Sequence, residues 1–251
     1  MKFKQFALAA TLAGAVLGFN TAAHAVPVAL ELALLVDVSG SVDNSEYALQ
    51  KQGYVNAFQN ATIQNAIASR PGGVAVTYIE WSAGTQQAQL VNWTHIFDAA
   101  SAKAFALAIQ GTSRAYSNTT APGSAINYAT PLFSNNGFEG ARLVIDVSGD
   151  GAENTGADTS DARDAALAAG IDAINGLPIL GEGGLLAFYQ NNIQGGTGSF
   201  TLPADTFADF DAAVATKIGR EINPVPEPGT AALLGLGLIG FIGSRRRKPK
   251  A

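Results

Sequence analysis

The 251-residue chain contains no cysteine, so thiol nucleophiles, thiolate metal sites and disulfides are all excluded. Histidine is nearly as scarce. Only His24 and His95 are present, too few imidazoles for a multi-histidine zinc site and at most one for serine hydrolase chemistry. Charged residues make up just 14% of the chain. Bases are the rarer sign and crowd the two ends: without Lys2, Lys4 and residues 227–251, 8 Lys and Arg face 19 Asp and Glu, a net of −11. So acidic a body is a poor partner for nucleic acid or anionic lipid and a natural partner for cations. What the chain does have is 47% hydrophobic residues with 28 Gly and 10 Pro, the profile of one globular domain rather than a disordered or collagen-like chain.

The ends read as addresses. Lys2 and Lys4 precede an apolar run over residues 6–19, and Ala23-His24-Ala25 then supplies a small-x-small cleavage site. Residues 1–25 are therefore expected to be a signal peptide cut by signal peptidase, which places the mature chain outside the cytoplasm. At the other end, Val225-Pro226-Glu227-Pro228-Gly229 leads into an apolar stretch over 230–242 and then Arg245-Arg246-Arg247-Lys248. That stretch is short beside the roughly 20 residues of a spanning helix. The positive charge beyond it favours a cytoplasmic C-terminus. These three parts closely resemble the PEP-CTERM sorting signal of Gram-negative bacteria that make exopolysaccharide. The resemblance implies cutting near Pro-Glu-Pro by a membrane-embedded exosortase; a plain C-terminal anchor is the alternative. The expected layout is a signal peptide (1–25), a folded body (26–223) and a sorting tail (224–251) that holds the inner membrane until the body moves to the cell surface or matrix.

Strand and helix patterns alternate along the body. Residues 28–36 form an almost unbroken apolar run, as in a strand buried on both faces of a parallel sheet. Further strands are predicted over 74–81, 86–93, 141–148, 171–180 and 199–202, and helices over 45–69, 99–109, 124–132, 158–169, 185–192 and 206–222. This order predicts an α/β fold: a doubly wound, mainly parallel open sheet with helices on both faces and one antiparallel edge strand.

The first strand ends in Asp37-Val38-Ser39-Gly40-Ser41, an acid and two hydroxyls at alternate positions where open α/β sheets place their ligand crevice. Such hard oxygen donors suit Mg2+ or Ca2+ better than zinc or copper. A second buried strand ends in Val147-Ser148-Gly149-Asp150-Gly151, and between the two lies Thr120-Ala121-Pro122-Gly123-Ser124, a hydroxyl in a turn that opens a helix. Together the three segments resemble the von Willebrand factor A domain and its metal-ion-dependent adhesion site, in a secreted bacterial branch of that superfamily. Asp37, Ser39 and Ser41 match the family's Asp-x-Ser-x-Ser, Thr120 its loop threonine and Asp150 its strand-end Asp-Gly. Ser117-Asn118-Thr119 replaces the usual paired Gly before the threonine, which leaves Thr119 open as the alternative ligand. The resemblance implies Mg2+ (or Ca2+ or Mn2+) with one open coordination position for the carboxylate of an acidic protein or glycan partner. A non-enzymatic binding module is the function it implies, and a matrix protein with a fold-stabilising cation is the alternative.

Other polar residues carry competing readings. Asp146 and Glu80 fall inside apolar strands, where a charge needs a partner. They either orient the metal ligands or form structural contacts, with Arg142 and Lys103 as candidate partners. Asp43 and Glu46 read as helix-start acids or as a second cation site. Asp158, Asp161 and Asp164 read as a solvated helix start, and His95 as a loop residue.

Overall fold

Eight consecutive residues without an exposed side chain form the strand around which the molecule is arranged. In the computed structural model, which describes residues 25–223, the chain runs through β1 (Val26–Val28), β2 (Leu30–Asp37), α1 (Asn44–Gln59), α2 (Ala61–Ala68), β3 (Val74–Trp81) and β4 (Gln87–Ile96). It continues through α3 (Ala99–Gln110), α4 (Pro122–Ala129), a 3-10 turn (Thr130–Phe133), β5 (Phe138–Gly140), β6 (Leu143–Gly149) and α5 (Thr159–Ala168). Last come β7 (Ala173–Pro178), α6 (Leu185–Phe188), a π turn (Tyr189–Ile193), β8 (Gly195–Gly196) and α7 (Phe210–Ile222). The predicted signal peptide and sorting tail lie outside the described residues. Among those described, no helix is long and apolar enough to cross a membrane.

Strand order in the main sheet is β4-β3-β2-β6-β7-β8, and β1 pairs with β5 in a small parallel ribbon. The four central strands are parallel. The predicted antiparallel edge is β4, and the two-residue β8 adds a short antiparallel pairing at the opposite edge. Period-2 geometry splits β2 between two cores. Leu30, Leu32, Leu34 and Val36 pack toward α1, α2, α3 and α7, whereas Ala33 and Leu35 pack toward α4, α5 and the Tyr189 turn. Both faces are therefore covered, which is why the run shows no polar alternation.

Two expected elements are divided differently. The helix expected over 45–69 breaks at Asn60, whose backbone is extended and whose side chain caps α2 by accepting from the Thr62 N–H at 2.8 Å. The strand expected over 199–202 is reduced to isolated bridges, Thr201 with Gly176 and Ala204 with Ile179. Helix α7 packs tightly on α1 because position 53 is glycine: a Cβ there would meet the Phe210 ring at 2.8 Å.

Asp146 and Glu80 make contacts other than those predicted. Asp146 is paired with fully buried Lys217 of α7, not with Arg142 or Lys103. Lys217 also donates to Glu221 at 2.7 Å, and Glu221 accepts from Asn175 at 2.9 Å. Burial first and the charge of Glu221 second push the Asp146 carboxyl above its ordinary range. Glu80 accepts from the Tyr47 hydroxyl at 2.9 Å and the Ala115 N–H at 2.8 Å, which ties β3 to α1 and to the loop that follows α3. Sequence order hides such partners because α7 reaches β6 only when the sheet is complete. Lys217→Met leaves two buried carboxylates without their counter-charge, so a loss of about 3–5 kcal/mol is expected in urea unfolding at pH 8. At pH 5 the loss should be smaller, since a protonated Asp146 needs no ammonium; equal losses at the two pH values would contradict the ion-pair account.

Candidate functional site

Three chain segments meet at the carboxyl ends of β2 and β6. The strands are neighbours, but the chain leaves β2 toward β3 and β6 toward β7, so their ends border the crevice at the sheet's switch point. Asp37 is the last residue of β2 and is fully buried. Its Oδ1 accepts from the Ser39 N–H at 2.7 Å, while its Oδ2 is buried without a hydrogen-bond partner. Burial pushes this carboxyl up to about 7. Gly149 makes room for it: a Cβ there would stand 2.6 Å from Oδ2 and 2.9 Å from the Tyr189 hydroxyl. That hydroxyl too is buried and unpartnered.

A chain of short contacts runs outward from Asp37. Ser39 Oγ lies 3.2 Å from Ser41 Oγ, and Ser41 Oγ donates to Asp150 Oδ1 at 2.6 Å, a contact between residues 109 positions apart. Burial raises the Asp150 carboxyl as well, with the charges of Glu46 and Glu182 adding to the effect. Thr120 is buried, and its Oγ1 accepts from Asn154 Nδ2 at 3.4 Å. Thr119 is exposed, and its carbonyl accepts from Ser82 Oγ at 3.0 Å. Of the two threonines, Thr120 shares with Ser41 and Asp150 the wall of an open cavity of about 770 Å³. Apolar Leu49, Ile179, Leu180 and Phe207 also line it.

The loop that carries Ser39 and Ser41 is held from behind by Arg114. Its guanidinium donates to the carbonyls of Val38, Ser39 and Val42 at 3.0, 2.8 and 2.7 Å, and its Nε donates to the Tyr116 carbonyl at 2.9 Å. Its partners are all backbone carbonyls, so the arginine holds the loop without pairing with Asp37 or Asp150. The Gly40 N–H donates to the Asn118 carbonyl at 2.6 Å and joins the same loop to the segment before Thr120. Sequence reasoning missed Arg114, Asn154 and Tyr189. For Arg114 there was a signal: it is the only base between Lys103 and Arg142.

The remaining polar candidates take structural roles. Asp43 and Glu46 form a capping box at the start of α1, Asp43 accepting from the Ser45 and Glu46 N–H groups while Glu46 accepts from the Asp43 N–H. Asp158 caps α5 and Asp164 pairs with Arg163. His95 contacts the Gly72 carbonyl at 2.7 Å, at the far end of the sheet. Among the described residues no group of three or more His, Cys, Asp or Glu is arranged as a metal site. The set at the crevice has two carboxylates and three hydroxyls.

The family model described as "Protein of unknown function (DUF1194)" matches residues 27–226. The chain belongs to this family. In this DUF1194 chain, residues 224–248 match the PEP-CTERM protein-sorting motif, which marks it for export and membrane-associated sorting and implies processing by an exosortase. No curated protein matches the chain. Among solved structures, it is similar to proximal thread matrix protein 1 from the mussel byssus, with a TM-score of 0.60 and 15% identity over 78% of this chain and 47% of that one. A further structure of that mussel protein has a zinc-occupied MIDAS motif, with a TM-score of 0.52 and 16% identity over 75% of this chain and 46% of that one. The chain is also similar to the pilus adhesin SpaC of Lactobacillus rhamnosus GG, with a TM-score of 0.55 and 16% identity over 77% of this chain and 30% of that one. A von Willebrand factor type A protein from Catenulispora acidiphila follows, at a TM-score of 0.53 and 12% identity over 77% of this chain and 42% of that one. The chain thus spans less than half the length of these proteins. At such identities the likeness establishes the fold, which is of the von Willebrand A type.

Asp37 makes the stability of this DUF1194 chain depend on pH. Because its folded value is raised, the group stabilises fully below its unfolded value near 3.8 and loses that contribution as pH rises through about 7. In chelator, unfolding free energy should fall from pH 4 to pH 7 with a slope from this group of at most about 1.4 kcal/mol per unit. Asp37→Asn is expected to flatten the profile by that share, and an unchanged slope in urea titrations would refute the buried-carboxyl account.

Proposed function

We propose that this protein is an exported, non-enzymatic binding module that holds one divalent cation and uses it to grip an acidic group on a protein or glycan. Asp37, Ser39, Ser41, Thr120 and Asp150 would hold the ion, with Mg2+ the expected species and Ca2+ or Mn2+ alternatives. The observation that carries this reading is the buried Asp37 carboxylate with its unpartnered Oδ2, at one end of a line of hydroxyl and carboxylate oxygens that leads to Asp150. An all-oxygen set suits a hard cation. A cation would supply what Asp37 lacks, a positive charge beside a carboxylate that burial otherwise drives toward its neutral form. The zinc-occupied MIDAS motif of the mussel protein lends support by analogy of fold.

The chain's own residues have distinct parts in this reading. Hydroxyls of Ser39, Ser41 and Thr120 contribute oxygen without charge, so two carboxylates are the only anions placed on the ion and an incoming acid still gains from contact with it. Arg114 keeps the serine loop in shape. Catalysis is not part of the proposal: His95, the one imidazole among the described residues, contacts Gly72 at the far end of the sheet.

A second reading makes the cation a structural staple of a matrix protein, favoured by the cost of burying Asp37 without one. Calorimetric titration with Mg2+, Ca2+ and Mn2+ should show one site in the wild type and none in Asp37→Ala; equal binding by both proteins rejects the site. Chelator should also release the protein from its acidic partner in a pull-down. If chelator lowers the melting temperature but leaves retention on cells unchanged, the staple reading replaces the gripping one.

A further inference from the structure

Lys217, Glu221 and Asp146 meet in the core between α7 and β6, none of them more than 1% exposed. Lys217 and Glu221 stand one turn apart on the inward side of α7, among Phe210, Val214, Ile218 and Ile222. Asp146 is the middle residue of β6, in register with Asn175 of β7. The Lys217 Nζ touches Asp146 Oδ1 and lies 2.7 Å from Glu221 Oε1. Three details set this cluster apart from an ordinary ion pair. The contact with Asp146 lacks hydrogen-bond geometry, so neither oxygen of that carboxyl accepts from any donor. Glu221 Oε2 is equally bare. One ammonium also faces two carboxylates, so the second acid has no counter-charge of its own.

We propose that Lys217 and Asp146 join in an intramolecular isopeptide bond, an amide between Nζ and Cγ that ties α7 covalently to the central sheet. The ion pair is the state before reaction. Passing one proton from the ammonium to the Asp146 carboxylate removes two charges from an apolar interior and leaves an amine beside a carboxylic acid. Burial first and the charge of Glu221 second already favour the acid form of Asp146. The Nζ lone pair then attacks Cγ, and Glu221, in contact with Nζ, takes a proton from the nitrogen. Glu221 returns that proton to the hydroxyl on Cγ, which leaves as water while the remaining oxygen becomes the amide carbonyl. One ammonium and one carboxylate thus give one amide and one water, and no oxidant or cofactor enters. Packing holds the two reacting groups in contact, which replaces a bimolecular encounter by an internal step. Asn175 keeps the proton carrier in place: its Nδ2 donates to Glu221 Oε1 at 2.9 Å, while its Oδ1 accepts from the Phe200 N–H at 3.0 Å. A chain marked for export yet without cysteine gains in this way a cross-link that needs no redox partner.

The bond can be read by mass spectrometry of full-length folded protein, denatured and then cut with trypsin. Cleavage after Arg142, Arg163 and Arg220 leaves the amide joining residues 143–163 to residues 164–220 in one branched peptide. That peptide is uncut at Lys217 and lighter by one water than the sum of its parts. It is expected from the wild type and absent from Lys217→Met. Glu221→Gln keeps a hydrogen-bonding side chain beside Nζ and is expected to remain folded by circular dichroism while losing the branched peptide. Separate, unmodified peptides 143–163 and 164–217 from the folded wild type overturn the proposal. A branched peptide in equal yield from Glu221→Gln overturns the proton transfer assigned to Glu221. Loss of ammonia within residues 164–220, with 143–163 released intact, makes Asn175 the partner and overturns the bond to Asp146. If both variants fail to fold, the wild-type digest decides alone.

Discussion

A carboxylate at the end of a strand buried on both faces cannot be hydrated, and much of the upper part of this molecule is arranged around that constraint. Asp37 has one oxygen satisfied by the turn that follows it and one left bare. Water would ordinarily remove such a defect, or evolution would replace the acid by an apolar residue. Instead the neighbouring strand ends in Gly149, whose missing side chain leaves space for Oδ2, and the segment that follows brings Asp150 to the same crevice. The bare oxygen is thus left close to further hydroxyl and carboxylate oxygens, a buried polar group that carries a cost as long as nothing pairs with it.

Holding that arrangement requires rigidity from parts of the chain with no oxygen at the crevice. Arg114 fixes the carbonyls of the serine loop, Glu80 fixes the segment that carries Arg114, and Ser82 fixes the turn before Thr120. The Glu80 and Ser82 contacts join loops to the end of β3, and Arg114 passes that order on to the serine loop. The same logic operates lower down, where Lys217 joins α7 to β6 through Asp146 and pairs within its own helix with Glu221. A buried ion pair adds little net stability compared with apolar packing, but it penalises any displacement that separates the charges.

The comparison with other von Willebrand A-type structures bears on the fold and stops there. Identities of 12–16% with TM-scores of 0.53–0.60 bear on the fold alone. In this chain the cavity beside Ser41, Thr120 and Asp150 is lined also by the apolar Leu49, Ile179, Leu180 and Phe207.

Local pattern alone determined a great deal here. A run such as 30–37 has only one way to bury every side chain, and Asp-x-Ser-x-Ser at its end has only one place to be, so the parallel sheet and the first three oxygens could be read directly. Asp150 could be placed too, because it directly follows a buried strand, whereas the turn that holds Thr120 left Thr119 equally open. The break at Asn60 was harder, since apolar spacing continues across it and only the capping side chain marks the boundary. What the tertiary structure alone decided are the long-range pairings: Lys217 with Asp146, Arg114 with the serine loop, and Thr120 rather than Thr119 at the cavity wall. Such contacts join residues far apart in sequence, and their partners are chosen by which helix covers which strand. No periodicity within a single segment records that choice.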